Sequence, residues 1–110
     1  MPASTSTALL TDMYELTMLD AALKAGTAER KSVFELFGRR LPATRRFGVV
    51  AGTGRILEAL ERFTFSTHQI DYLHKNKIVS DVALDYLKDF RFSGDIFGYA
   101  EGEVYFEGSP

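Results

Sequence analysis

The stretch TDMYELTM, residues 11–18, places a carboxylate, a phenol and a second carboxylate at positions 12, 14 and 15. Asp12 and Glu15 have the spacing of a helix capping box, in which Asp12 accepts hydrogen bonds from first-turn N–H groups. Tyr14 can pack into an apolar stripe, or it can offer a flat ring to a ligand. The local pattern favours an ordinary capped helix and leaves a binding role open.

A second group able to bind a ligand is a cluster of four arginines in one short stretch, namely Arg39, Arg40, Arg45 and Arg46. Guanidinium groups bind phosphate oxygens through paired hydrogen bonds. A solvated surface loop explains the same pattern, and the spacing alone favours that interpretation. The chain carries a formal net charge of −2 and no Lys or Arg after Arg91, so we expect no nucleic-acid binding.

The turn GTGRIL, residues 52–57, follows a strand pattern and opens a helix, where unpaired N–H groups can hold phosphate. Leu57 stands where a dinucleotide fingerprint has its third glycine, which favours a tight strand-to-helix turn. His68 and His74 lie six positions apart, whereas adjacent helical positions are three or four apart, so we expect no metal pair. The chain has no cysteine for thiolate chemistry, and we predict no catalytic residue in this segment.

The first element of the chain is a helix predicted over residues 12–25. It carries two adjacent apolar rows, which are Met13, Leu16, Leu19 and Leu23, and Tyr14, Met18, Ala21 and Ala25. Such a wide stripe implies contact with more than one neighbouring element or subunit. Glu15, Asp20 and Lys24 are expected on the narrow polar face, and Gly26 is placed to end the helix.

The remaining pattern predicts short strands and helices. Residues 33–37 alternate as a strand and residues 47–51 read as a second, buried one, so the two can form an antiparallel hairpin. Helices are predicted from Gly52, from the capping box of Ser66 and Gln69, and from Ser80 or Asp81. DIFGYA and EVYF then predict a hairpin about Glu101 and Gly102. The fold class is α+β with a small, mainly antiparallel sheet.

The length of 110 residues fits one α+β domain. We expect residues 1–8 to form a flexible leader. The stretch MPASTSTALL has no basic region and only a very short apolar run, so we expect neither a signal peptide nor a membrane anchor, and a cytoplasmic protein. The last predicted hairpin stops at Pro110 with no closing element. The domain is therefore expected to be incomplete at its carboxyl end.

Four segments together resemble the amino-terminal region of nicotinate phosphoribosyltransferase in order and spacing. They are TALLTDMYELTM, VFELFGRRLP, FGVVAGTGRILEAL and YLKDFRFSGDIFGYAEGEVYFEGSP. The resemblance covers residues 7–110 and is more specific than any one segment. It implies the amino-terminal domain of a type II phosphoribosyltransferase, whose α/β barrel domain is absent from this chain.

The resemblance implies an enzyme of NAD salvage that converts nicotinate and 5-phosphoribosyl 1-diphosphate to nicotinate mononucleotide and diphosphate. It implies that the full-length enzyme uses ATP and Mg²⁺ and carries a phosphorylated histidine in its barrel. It also implies that this segment alone binds neither ATP nor Mg²⁺. Neither His68 nor His74 matches that histidine. The resemblance also implies a homodimer with shared active sites, so this chain alone is expected to be inactive.

Three candidate site residues, Asp12, Tyr14 and Arg39, carry over from the family's motifs by resemblance. Thr11, Asp12 and Tyr14 match a T-D-x-Y motif, which makes Tyr14 a nicotinate-ring contact and Asp12 a site residue or helix cap. Arg39 matches the arginine of an F-F-R-K-L-P-like segment and is a candidate contact for phosphate or diphosphate. Gly38 and Arg40 depart from that segment. The alternative is a stand-alone α+β binding or interaction module without catalytic activity.

Overall fold

The computed structural model describes residues 6–110. Its elements, in chain order, are α1 (Met13–Lys24), β1 (Gly48–Val49), α2 (Thr53–Glu61), α3 (Thr67–Lys75), α4 (Asp81–Asp89) and β2 (Val104–Tyr105). The predicted α+β class is confirmed by four helices and a two-stranded antiparallel sheet among these residues. No helix in this part of the chain is long and apolar enough to cross a membrane.

The chain divides into two compact units that are interleaved in sequence. The first comprises the described residues up to Lys31 together with Arg62–Phe92, and it holds α1, α3 and α4. The second comprises Ser32–Glu61 and Ser93–Pro110, and it holds β1, α2 and β2. The prediction of one domain over residues 1–110, incomplete at its carboxyl end, stays a prediction.

The first unit is built around α3 and α4. Their inner faces and the connection between them form a buried core of Ile70, Leu73, Val79, Ala83, Leu84 and Leu87. Leu16, Leu19 and Leu23 of α1 pack against this core, as helical spacing predicted. Removing this apolar surface from water is the main stabilising term, at about 25 cal/mol per Å². The first unit therefore uses the leucines of one apolar row on α1, whereas Met13 of that row is exposed.

The helix ends in the first unit follow the local signals in the sequence. The capping box of Ser66 and Gln69 at α3 is confirmed in both directions. The Ser80 hydroxyl caps α4, where a helix start was predicted. Gly26, with φ of 71°, follows α1, and Thr27 N donates to Ala22 O at 2.9 Å, a Schellman-type ending.

The strands of the second unit differ from the prediction. β1 pairs with β2 antiparallel, with Gly48 opposite Tyr105 and Val49 opposite Val104. The predicted strand at residues 33–37 is wrong, and so is its hairpin with residues 47–51. A strand needs a partner for its backbone and a buried face. Within the described chain, residues 33–37 have no ladder partner, and Phe34 is 93% exposed.

The predicted hairpin near the carboxyl end is correct only at its turn. Glu103 N donates to Ala100 O at 3.2 Å, and Gly102 adopts a φ of 85° that favours glycine. DIFGYA forms no strand among the described residues. The turn instead directs β2 against β1, where Val50 N donates to Glu103 O at 2.8 Å.

Residues 1–5 of the predicted flexible leader lie outside the described residues. Its last three residues are tied to the first unit. The Ser6 hydroxyl donates to Thr64 O, and Gln69 Nε2 donates to Ser6 O at 2.8 Å. Ala8 is buried.

Candidate functional site

The motif at residues 11–18 forms the beginning of α1. Asp12 occupies the N-cap position with φ of −79° and ψ of 144°, and Glu15 N donates to its carbonyl oxygen at 3.2 Å. The Asp12 side chain makes no capping hydrogen bond, so the hydrogen-bonded capping box predicted for Asp12 and Glu15 is wrong. Both carboxylates still lie near the positive end of the helix dipole. The Asp12 side chain is exposed.

Tyr14 lies on the apolar row of α1 that the core does not use. It is 58% exposed, and Met13 and Met18 beside it are also exposed. Leu16 and Leu19, in contrast, pack on the core of the first unit. The structure therefore places Tyr14 at the surface of the first unit, where its ring can contact another molecule or another part of a larger protein.

The first unit also contains an apolar cavity of about 480 Å³. Thr11 and Glu15 of the motif contribute to its lining, whereas Tyr14 does not. Three lining rings, those of Phe63, Phe65 and Phe90, contact one another edge to face with centroids 5.7–6.3 Å apart. No Lys or Arg is among the residues that line it, so it offers apolar surface but no cation for an acidic ligand.

Tyr86 also lines this cavity. Burial raises the pKa of its hydroxyl, and the nearby Glu29 carboxylate, which accepts a hydrogen bond from it, raises the pKa further. Tyr86 therefore stays protonated at neutral pH. We find no role for it as a proton acceptor.

The four arginines lie in the second unit and are all exposed. Within residues 6–110, none of them forms an ion pair with a carboxylate. The backbone on both sides of Arg39 and Arg40 is nevertheless held in place. Gly108 N donates to Gly38 O at 2.9 Å, and Leu41 N donates to Glu107 Oε1 at 2.6 Å. Within the described residues, Arg39 and Arg40 thus present guanidinium groups without a carboxylate partner from an anchored backbone.

The glycine turn before α2 is already bound to a carboxylate of the same unit. The N–H groups of Gly52 and Thr53 donate to Glu101 Oε1 and Oε2, each at 2.8 Å. These hydrogen bonds, that of Gly52 first, hold the pKa of Glu101 below its usual range. Gly52 has a φ of 95°, which an L side chain rarely adopts. The geometry fits a strand-to-helix turn capped by Glu101.

The two histidines both lie on α3 and are exposed. His74 Nε2 lies 3.9 Å from Asp81 Oδ1, an exposed pair. Within residues 6–110, no three His, Asp or Glu side chains are grouped so that they could hold a metal ion.

Comparison with known sequences assigns the family. The profile of the nicotinate phosphoribosyltransferase (NAPRTase) N-terminal domain matches residues 9–110. The chain belongs to this family. The chain is 58% identical over 102 residues to nicotinate phosphoribosyltransferase pncB1 of Mycobacterium tuberculosis, and the aligned part covers 93% of this chain and 22% of the relative.

Two further relatives carry the same enzyme name. Nicotinate phosphoribosyltransferase pncB2 of Mycobacterium tuberculosis is 41% identical over 106 residues, or 94% of this chain and 22% of the relative. Nicotinate phosphoribosyltransferase of Bacillus subtilis is 34% identical over 105 residues, or 96% of this chain and 21% of the relative. This NAPRTase N-terminal domain therefore spans about a fifth of the length of the curated relatives it matches.

The three predicted site residues of the NAPRTase N-terminal domain fall in separate units. Asp12 and Tyr14 lie together at the start of α1 in the first unit, and Arg39 lies in the second. The sequence pattern missed Glu101 and Glu107, whose carboxylates bind backbone N–H groups 48–66 positions earlier. Local spacing holds no signal for such distant pairs.

Proposed function

We propose that this chain is the amino-terminal part of a cytoplasmic nicotinate phosphoribosyltransferase that acts in NAD salvage. The observation that carries the proposal is the family match over residues 9–110, together with 58% identity over 93% of the chain to an enzyme of that name. In the reaction, the pyridine nitrogen of nicotinate bonds to ribose C1 of 5-phosphoribosyl 1-diphosphate. The bond from C1 to the diphosphate oxygen breaks, giving nicotinate mononucleotide and diphosphate.

The exposed ring of Tyr14 is the contact we propose for nicotinate. Its position on the apolar row that the core leaves uncovered supports a role outside the first unit. An aromatic pair of this kind contributes about 0.5–1.5 kcal/mol beyond the buried area. We propose that this row faces a second subunit of a homodimer, so that Tyr14 completes a site whose remainder belongs to the partner.

The phosphate-binding contribution of the segment is assigned to Arg39. A guanidinium group can stabilise the negative charge that develops on diphosphate as it departs. The absence of an ion pair at Arg39 among residues 6–110, and its anchored backbone, support this role. Asp12 makes no capping hydrogen bond, which supports a place near the site for its carboxylate.

We assign the phosphorylated histidine, ATP and Mg²⁺ to residues beyond this segment. ATP, if bound by the full-length protein, would supply driving force for the reaction through its hydrolysis. The residues of this chain bind and orient substrate, and we predict that the 110-residue chain alone is inactive because the phosphorylated histidine and the main phosphate-binding loops lie beyond it.

The test is product formation by the full-length protein that contains this segment. Nicotinate and 5-phosphoribosyl 1-diphosphate are supplied with and without ATP and Mg²⁺, and nicotinate mononucleotide is separated by chromatography. We expect product from nicotinate, more of it with ATP, and none from the 110-residue chain. Nicotinamide, which lacks the carboxylate, serves as the control substrate. A full-length protein that forms no nicotinate mononucleotide would refute the proposed function.

A further inference from the structure

Residues 38–41 contain Arg39 and Arg40 and are called the arginine segment. Two consecutive residues after β2, Glu107 and Gly108, form hydrogen bonds with the two ends of this segment. Gly108 N donates to Gly38 O at 2.9 Å, and Glu107 Oε1 accepts from Leu41 N at 2.6 Å. Arg39 and Arg40 are the two residues between these anchor points. The anchoring residues lie 66 or more positions later in the chain, so the contact is tertiary and not a local turn.

At the Leu41 end of the segment, the backbone N–H of Leu41 can donate a hydrogen bond, but the next residue cannot. Leu41 precedes Pro42, which restricts its backbone to extended conformations, and Pro42 itself has no N–H group. The Glu107 carboxylate accepts a hydrogen bond from the Leu41 N–H. On the other side, the Tyr105 ring packs beside Gly38, where an added Cβ would lie 3.5 Å from Cε2. Residues at and just after the end of β2 therefore contact the backbone of the arginine segment at both Gly38 and Leu41.

The charge of Glu107 is not used to neutralise the arginines. Within residues 6–110, Glu107 forms no ion pair with Arg39 or Arg40, and its carboxylate accepts a hydrogen bond from the backbone N–H of Leu41. The guanidinium groups remain exposed and available to an anion. Fixing the backbone of a binding residue beforehand lowers the entropy lost when the ligand binds.

We propose that Glu107 is a positioning residue for Arg39, holding the 38–41 segment so that the Arg39 guanidinium meets a diphosphate group. The ligand class is an organic or inorganic diphosphate, because a forked donor matches phosphate oxygens. This inference rests on the proposed function and deepens it. Glu107 acts only through the backbone and does not touch the substrate.

The kinetic test compares three variants of the full-length protein. Glu107→Leu removes the acceptor, and loss of one hydrogen bond should raise KM for 5-phosphoribosyl 1-diphosphate about 3- to 10-fold. The value of kcat and the KM for nicotinate should change much less. Glu107→Gln keeps an acceptor oxygen and should restore most of the affinity. Equal loss in all kinetic parameters, or no rescue by Gln, would overturn the proposal.

The matched control is Glu103→Leu. Glu103 Oε2 accepts from Ala100 N at 2.7 Å, so this variant removes a nearby carboxylate with the same kind of hydrogen bond but leaves the arginine segment untouched. It should leave KM for 5-phosphoribosyl 1-diphosphate unchanged. Adding Glu107→Leu to Arg39→Ala should raise that KM no further, since both changes remove one contact. A full additive increase would contradict the proposal.

A second measurement needs no variant at Glu107 and no turnover. Hydrogen exchange of the Leu41 amide in the full-length protein is followed with and without inorganic diphosphate. We expect diphosphate to slow this exchange, and to have no such effect in Arg39→Ala. Unchanged exchange on diphosphate binding would overturn the positioning role. Absence of nicotinate mononucleotide synthesis alone would refute only the proposed function.

Discussion

Asp20 on α1 is hydrogen-bonded to Ser80 at the start of α4, 60 positions later in the chain. Asp20 Oδ2 accepts from Ser80 N at 3.1 Å, and Oδ1 accepts from the Ser80 hydroxyl. Lys24 Nζ lies 3.1 Å from the same carboxylate. The sequence placed Asp20 on the polar face of α1, which is wrong, because Asp20 is only 8% exposed. Its carboxylate links α1 to the N-cap residue of α4 by hydrogen bonds.

We expect Asp20→Ala to lower the Tm of the protein by several degrees at pH 7. The hydrogen bonds from Ser80 are the main cause that lowers the pKa of Asp20. A lowered folded-state pKa stabilises the fold above the unfolded value, about 3.9, and this stabilisation is lost as pH falls through the folded value. Thermal melts from pH 7 to pH 3 should therefore show the two proteins converging below about pH 4.

The matched control is Asp85→Ala, which removes an exposed aspartate paired with Lys88 at 2.9 Å. Exposed pairs contribute little, so its Tm should stay near that of the wild type. Equal effects of Asp20→Ala and Asp85→Ala would contradict a special role for the Asp20 contact with Ser80.

Gly48→Ala should destabilise the sheet of the second unit. A Cβ at Gly48 would lie 2.3 Å from Tyr105 Cζ, so the ring opposite must move away. Such overpacking costs about 1–3 kcal/mol. Denaturant unfolding should show this loss, and Tyr105→Ala in the same chain should remove the additional effect of Gly48→Ala.

Gly54→Ala is the control for that substitution. Gly54 lies in α2 with no atom within 4 Å of an added Cβ, so alanine should leave stability unchanged or raise it by about 0.5–1 kcal/mol. A stability loss at Gly54 equal to that at Gly48 would argue against the contact with Tyr105.

The Glu101 cap should titrate visibly at the start of α2. The Gly52 and Thr53 N–H groups donate to its two carboxylate oxygens, and these bonds lower its pKa. The folded state is therefore stabilised above the ordinary value of a glutamate, about 4.3, and loses that stabilisation as pH falls through the lower folded value. The amide proton shifts of Gly52 and Thr53 should follow this titration in NMR spectra, and Glu101→Gln should abolish it. A midpoint above 4.3 would contradict the cap.

The 110-residue chain on its own should self-associate. Val33, Phe34 and Leu36 are each at least 92% exposed, and a cluster of exposed apolar side chains promotes association in water. Sedimentation velocity should show an average mass that rises with concentration, and less of this in a Phe34→Ser, Leu36→Ser variant. Tyr72→Ser, at an exposed aromatic of α3, is the control. A monomer at every concentration would be inconsistent with this expectation.

The helices could be predicted because their signals are local. The apolar row of α1 repeats every three or four residues, and the Ser66 and Gln69 cap spans three positions. The sheet could not be predicted, since β1 and β2 lie more than 50 positions apart and each contributes two residues. The alternation at residues 33–37 has apolar groups on both faces, so it mimics a strand without specifying a partner.

At the candidate site too, features with a local signal could be predicted and contacts between distant residues could not. The width of the apolar stripe on α1 predicted contact beyond one neighbour, and the exposed Tyr14 agrees with that excess. Arg39 was identified only by its motif, because its anchor, Glu107, follows 68 positions later. The carboxylate partners of backbone N–H groups depend on the final fold and carry no short-range pattern.

The proposed contact of Tyr14 with the nicotinate ring lies in a site shared by two subunits. In the full-length enzyme, Tyr14→Ala should weaken nicotinate binding and catalysis with little loss of stability, because an exposed ring contributes little to the core. Tyr14→Phe keeps the ring and should retain most of the activity. A buried core tyrosine would instead cost about 3 kcal/mol or more on truncation to alanine.

The most direct measurement is the activity of a purified mixed dimer. One subunit carries Tyr14→Ala, and the other is disabled at the phosphorylated histidine that we assign to residues beyond this segment. If the site is shared, one of the two sites holds both lesions and the other holds neither, so nicotinate mononucleotide synthesis should recover to about half of the wild-type rate. A mixed dimer no more active than the two parent homodimers would contradict a site in which Tyr14 of one subunit serves the other.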